Sequence, residues 1–122
     1  MKVFSIDVGL HHLGMVLASL RDDGTIDEIH DCDMVDITKE CCRVGCHLYH
    51  GNNIADYMYH FFGNYEASLE EADVILVEQQ PPCGLVSIQE LIRFQYRSKV
   101  ITISPRSVHC HFDIQFLNYE KR

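Results

Sequence analysis

The stretch DVILVE, residues 73 to 78, narrows the folds open to this chain more than any other. Its consecutive apolar residues show no alternation, the pattern of a strand covered on both faces inside a sheet flanked by helices. The run stops at a carboxylate, Glu78, and is followed by the breaker PPCG. The N-terminus repeats the arrangement, because VFSID carries an apolar run into Asp7 and then into a glycine-containing turn. Strand interiors are depleted in Asp, and an unpaired buried charge is costly, so two such endings ask for a reason.

The surrounding pattern supplies the architecture. Residues 2 to 8 and 14 to 21 read as strands joined by GLHHLG. RDDGT at 21 to 25 carries the Asp-Gly hairpin signal and leads into a third strand over roughly 25 to 35. Three strands in quick succession imply an antiparallel meander. The period then changes: Ile54, Tyr57, Met58, Phe61, Phe62 and Tyr65 recur at helical spacing, with Asn52 or Asn53 available as N-cap. After the 73–78 strand, residues 85 to 97 return to helix, with Leu85, Ile88, Leu91, Ile92 and Tyr96 on one side. KVITIS at 99 to 104 is another buried strand, and Pro105 opens a last helix where its missing N–H costs nothing. The predicted order is β-β-β-α-β-α-β-α, an α/β mixed sheet with an antiparallel meander followed by parallel crossovers. It forms a single domain over residues 1–122, and only 36 to 51 lacks a clear pattern.

Charge and cysteine usage bound the function. The net charge of −8 argues against a general polyanion binder, but it is divided unevenly. Sixteen acidic and four basic residues precede Arg93, whereas six basic and two acidic residues occupy Arg93 onward. A basic segment on an acidic body suits a protein that meets phosphate on one face. No apolar run approaches the ~20 residues that span a bilayer, and the start of the chain has no signal-peptide layout. The six cysteines are therefore expected in a reducing, intracellular compartment, as thiols or metal ligands.

If the first and fourth strands are parallel neighbours, Asp7 and Glu78 stand together at their carboxyl ends, where open α/β sheets place ligands. Two acids held that close repel one another unless a cation or a shared proton intervenes. Mg²⁺ favours oxygen donors and is commonly held by one or two carboxylates with water and phosphate. Taken singly, Asp7 can instead cap a turn and Glu78 can pair with an arginine. The turn DVGLHHLG lets a ligand approach the backbone at Gly9. A turn of this type occurs in ribonuclease-H-like nucleases and in the two-domain ATPases of the actin and sugar-kinase type, and the latter need a far longer chain.

FSIDVGLHHLGMVLASL, VILVEQQP and VITISPRSV, in that order and spacing, resemble the RuvC-like Holliday junction resolvases of large cytoplasmic DNA viruses, the poxvirus and iridovirus group. The resemblance runs through essentially all of the chain. It implies a ribonuclease-H-like fold and a homodimer that cuts four-way DNA junctions with Mg²⁺ or Mn²⁺ during viral DNA replication and recombination. Its setting would be the host cytoplasm or the virion. It also makes Asp7 and Glu78 catalytic metal ligands. The family commonly has Lys-Asn in the first turn, where this chain has His11-His12. It also completes its metal site with two aspartates on a late helix, whereas here Asp113 has no partner three residues away. A C-terminally incomplete domain is the resulting expectation, and a catalytically incomplete DNA-binding or dimerisation module is the alternative function.

His11 and His12 are candidate phosphate contacts. Gln89, Arg93, Tyr96 and Arg97 fall on or near a polar edge of the 85–97 helix, where Arg suits phosphate and Tyr can stack on a base. Arg106 and Ser107 open the last helix, where an anion is favoured. Cys41, Cys42, Cys46, His47 and His50 form one crowded group rather than the paired Cys elements of structural zinc sites, so no zinc site is expected there.

Overall fold

The architecture follows from one apolar sheet face and the helices that cover it. The computed structural model describes residues 1–39 and 52–104. Five strands, β1 (Lys2–Asp7), β2 (Leu13–Leu20), β3 (Ile26–Val35), β4 (Val74–Glu78) and β5 (Val100–Ile103), form one sheet in the order β3-β2-β1-β4-β5. Between β3 and β4 come a short 3-10 turn (Ile37–Lys39) and two helices, α1 (Ile54–Asn64) and α2 (Glu66–Glu71). Helix α3 (Val86–Gln95) joins β4 to β5. β1-β2 and β2-β3 are antiparallel, whereas β1-β4 and β4-β5 are parallel, which is the expected meander with crossovers. The expected last helix from Pro105, and the Cys41 to His50 cluster, lie outside the described residues.

The hairpin signal acts as its chemistry dictates. Gly24 takes φ +86°, a left-handed conformation that glycine adopts without steric cost. Asp23 Oδ1 accepts from the Thr25 N–H at 2.9 Å and its hydroxyl at 2.6 Å, closing the turn. Alternation then sorts the side chains. Phe4 and Ile6 of β1, Met15 and Leu17 of β2, and Ile75 and Val77 of β4 point into the core, where they meet Met58 and Phe61 of α1, Leu69 of α2, and Ile88 and Ile92 of α3. β4 alternates in burial, with Leu76 only half-buried, although its sequence is apolar throughout. Among the described residues the helices pack on the Ile75–Val77 face alone, so the double coverage read from the run DVILVE is met on one face.

The single helix expected after Asn53 is two. Asn53 caps α1 through its side chain, which accepts from the Asp56 N–H at 2.9 Å. Low-propensity Gly63 and Asn64 then end it, and Tyr65 (φ −114°, ψ 18°) leaves helical geometry while its ring packs 5.0 Å from Phe61. α2 ends on an unusual cap. The Lys99 ammonium, just before β5, donates to the carbonyls of Leu69 (2.5 Å), Glu70 (3.2 Å) and Ala72 (2.9 Å), groups that a helix C-terminus leaves unpaired. One of the basic residues of the C-terminal segment is thus a fold element rather than a phosphate ligand. Among the described residues no helix is long and apolar enough to cross a membrane.

Candidate metal and nucleic-acid site

The parallel register of β1 and β4 builds the site. Its last paired residues are Ile6 and Val77, both inward, so the next step along each strand sets Asp7 and Glu78 side by side on the opposite face. Asp7 is exposed and Glu78 half-buried. The antiparallel partner of Asp7 is Gly14, which brings no side chain and leaves the space beside the carboxylate open. On the other flank Glu78 pairs with Ile103. Neither carboxylate has a hydrogen bond or ion pair with another described residue. Two adjacent acids without a cationic partner form an oxygen donor pair suited to a hard divalent ion. The turn-cap and arginine-pairing alternatives for these residues are not realised among the described residues.

Two loops frame the pair. After β1, a Cβ on Gly9 would lie 2.4 Å from the His12 carbonyl oxygen and 2.8 Å from its carbon, so the chain can fold this tightly only with glycine there. The loop is pinned by the Ile37 N–H, which donates to the Leu10 carbonyl at 3.1 Å. His11 Nδ1 lies 3.0 Å from Asp36 Oδ2, while the other oxygen of Asp36 accepts from the Thr38 N–H at 3.0 Å and its hydroxyl at 2.5 Å. The Thr38 hydroxyl above all, then the His11 contact, holds the Asp36 carboxyl down at about 2 against some opposition from desolvation. A carboxylate only accepts, so Nδ1 carries the proton of that contact. His12 is exposed beside it.

After β4, the Gln79 N–H donates to the Ile103 carbonyl at 2.7 Å and the Gln80 N–H to Gln89 Oε1 at 2.6 Å. Gln89 is 6% exposed. It was expected on a polar edge facing DNA; instead it lies inside, because a buried carboxamide can satisfy the Gln80 N–H that no strand partner reaches. Tyr96, 7% exposed, is likewise in the core. Burial, with Glu70 and Glu66 nearby, raises its hydroxyl pKa.

The topology also separates the arginines from the carboxylates. α3 starts beyond Glu78 and must return to the far end of β4, where Val100 pairs with Ile75. Arg93, near the C-terminus of α3, and Arg97, just beyond it, therefore lie toward the amino edge of the sheet, about 10 Å or more from the start of the helix. Arg93 is 3.7 Å from Glu90 and Arg97 is exposed. Together with Ser87, Leu91 and the exposed Phe94 they line a groove of about 830 Å³ between α1 and α3. The structure thus brings Asp7, Glu78, His11 and His12 to one edge and leaves Arg93 and Arg97 on another. Arg106, Ser107 and Asp113 fall outside the described residues. Asp36 and Thr38 went unread in the sequence, although Asp-x-Thr is a local capping signal.

No family model matches the chain, and no curated protein matches it in sequence. Solved structures are similar to it in fold. Fowlpox virus resolvase, solved with substrate Holliday junction DNA, matches with a TM-score of 0.58 at 18% identity, over 86% of this chain and 61% of that one. The yeast mitochondrial Holliday junction resolvase Ydc2 matches with a TM-score of 0.63 at 19% identity, over 96% of this chain and 58% of that one. RuvC of Thermus thermophilus in complex with Holliday junction substrate gives 0.58 at 14% identity, over 89% and 69%. This chain thus spans about three fifths of the length of the fowlpox and yeast proteins. Strand order, mixed pairing and these likenesses together give the chain the ribonuclease-H-like fold, in the form carried by the RuvC-like Holliday junction resolvases.

Proposed function

We propose that this chain is a metal-dependent endonuclease that resolves four-way DNA junctions. The observation that carries the reading is the side-by-side placement of Asp7 and Glu78 on one face at the carboxyl edge, with no protein partner among the described residues. Their donor set fits Mg²⁺ or Mn²⁺, and a divalent ion bound there would favour attack on a phosphodiester by withdrawing charge from its oxygens. Asp7 and Glu78 would hold such an ion, and the side-chain-free Gly14 beside Asp7 would leave room for a phosphate. The Gly9 turn and the Gln80–Gln89 hydrogen bond fix the two loops through which the strand would approach. Arg93 and Arg97, on a separate edge, meet phosphates of another arm of a branched substrate. A homodimer with two such sites would match the two-fold symmetry of a junction, and the motif resemblance to viral resolvases favours work in viral DNA replication and recombination.

One observation favours a second reading. No group of three or more His, Cys, Asp or Glu residues able to hold a metal occurs among the described residues. A module that binds branched DNA without cutting would need no such group. The test is cleavage of a labelled four-way junction in Mg²⁺ and in Mn²⁺ by the chain, beside Asp7→Asn and Glu78→Gln. Paired symmetric cuts, lost in both variants, support the nuclease. Binding without cutting selects the module, and a folded chain that does neither removes both readings.

A further inference from the structure

The first loop carries a second feature that the carboxylate pair does not use. His11 is 60% exposed at its side chain, yet its ring is fixed by Asp36, which Thr38 holds in turn. With Nδ1–H spent on Asp36, the remaining ring nitrogen, Nε2, is the one left for a ligand, and it donates to a phosphate oxygen as the doubly protonated imidazolium. Lys39 lies in the same cleft, of about 690 Å³, whose other walls include Leu10, Asn53 and Tyr57. Its ammonium has no ion pair or hydrogen bond with a described residue. Asn53 is occupied, since its side chain serves the Asp56 N–H and carboxylate. Asp36, the carboxylate nearest His11, has both oxygens engaged. Among the described residues the cleft therefore presents a preoriented imidazolium donor and an ammonium with no partner, a pair suited to a phosphate oxygen.

Its position matters as much as its chemistry. His11 is four residues beyond Asp7, so the two backbones are at most about 14 Å apart. A cationic pocket so near two carboxylates is where a strand lying across them would need a second hold on its backbone. We propose that His11 and Lys39 form a phosphate-binding subsite, with Asp36 as the positioning residue of His11, that seats a DNA backbone phosphodiester flanking the one at Asp7 and Glu78. This rests on the nuclease reading and names the residues that place its substrate.

The experiment is equilibrium binding of a fluorescent four-way DNA junction to the full chain in EDTA, across a series of salt concentrations. His11→Gln and Lys39→Gln are each expected to weaken binding about tenfold and to lower the slope of log affinity on log salt by about one. Asp36→Asn should weaken binding like His11→Gln, and the double variant should be no weaker than either, because both act on one imidazole. Thermal melts of all variants keep loss of fold apart from loss of contact. Inorganic phosphate, added at constant ionic strength, separates the sources. If it competes with DNA at stoichiometric levels, the pocket is a site for free phosphate and the backbone assignment fails. Unchanged affinity and slope in His11→Gln and Lys39→Gln, with wild type binding, overturn the subsite alone. A wild-type chain that binds no junction overturns the nuclease reading and the subsite with it.

Discussion

Replacing Asp7 by Asn should make the metal-free protein more stable, although it removes the residue on which the chemistry would depend. Adjacent strands lie about 4.8 Å apart, so two carboxylates side by side on one face are roughly 5 Å apart. At that separation like charges repel by about 0.8 kcal/mol in water and by about 3 kcal/mol at an effective dielectric of 20. Asp7 is exposed and Glu78 half-buried at a sheet edge, so the solvated end of that range applies. It agrees with the roughly 0.2–1 kcal/mol scale of cross-strand pairs. Asp7→Asn should therefore add about 0.5–1 kcal/mol in EDTA, a Tm increase of roughly 2–5 °C for a domain of this size. The assay is thermal unfolding of both proteins in EDTA at low salt, in 1 M NaCl, and with Mg²⁺ or Mn²⁺. High salt, with a Debye length of about 3 Å, should remove most of the difference. The divalent ion should reverse it, because only wild type retains both ligands and gains binding energy from the folded state. A variant that is less stable in EDTA, with the same deficit in high salt, would show that Asp7 serves the fold and refute the reasoning.

Three further outcomes follow from the same contacts. Gly9→Ala drives a methyl group into the His12 backbone, so it should displace the first loop and weaken metal binding by calorimetry, while amide shifts of the distant β4–β5 pair stay put. Gln89→Leu leaves the Gln80 N–H without its partner and should cost about 1–3 kcal/mol in a urea melt, with the loop after Glu78 losing hydrogen-exchange protection first. Thr38→Val removes the main cause of the depressed Asp36 pKa of about 2, so a carboxyl NMR titration should find it raised toward the ordinary carboxylate range. The sign follows from linkage: Asp36 supports the fold above its unfolded value near ~3.9 and loses that support as pH falls through about 2, and the variant should lose it at higher pH.

What the sequence determined by itself were the features that depend on local chemistry and period. The helical spacing of Met58 and Phe61 and the Asp-Gly turn act within a few residues and stand where they were expected, and of the two cap candidates, Asn52 and Asn53, it is Asn53 that caps α1. The pairing of Asp7 with Glu78 was also legible, because two apolar runs that end on acids become equivalent once parallel. Only the tertiary structure decided the roles of Gln89, Lys99, Arg93 and His11. An amphipathic pattern marks a polar residue as outside the apolar stripe, but it does not show that the Gln80 N–H, or the carbonyls at the end of α2, need a partner in space. Nor does it show that α3 runs away from the carboxylates and takes Arg93, with Arg97 just beyond it, to another edge, a consequence of the parallel β4–β5 pairing. The His11–Asp36 contact joins residues 25 apart in sequence across a loop and a 3-10 turn. Such a pairing depends on where the meander returns the chain, and no local period encodes it.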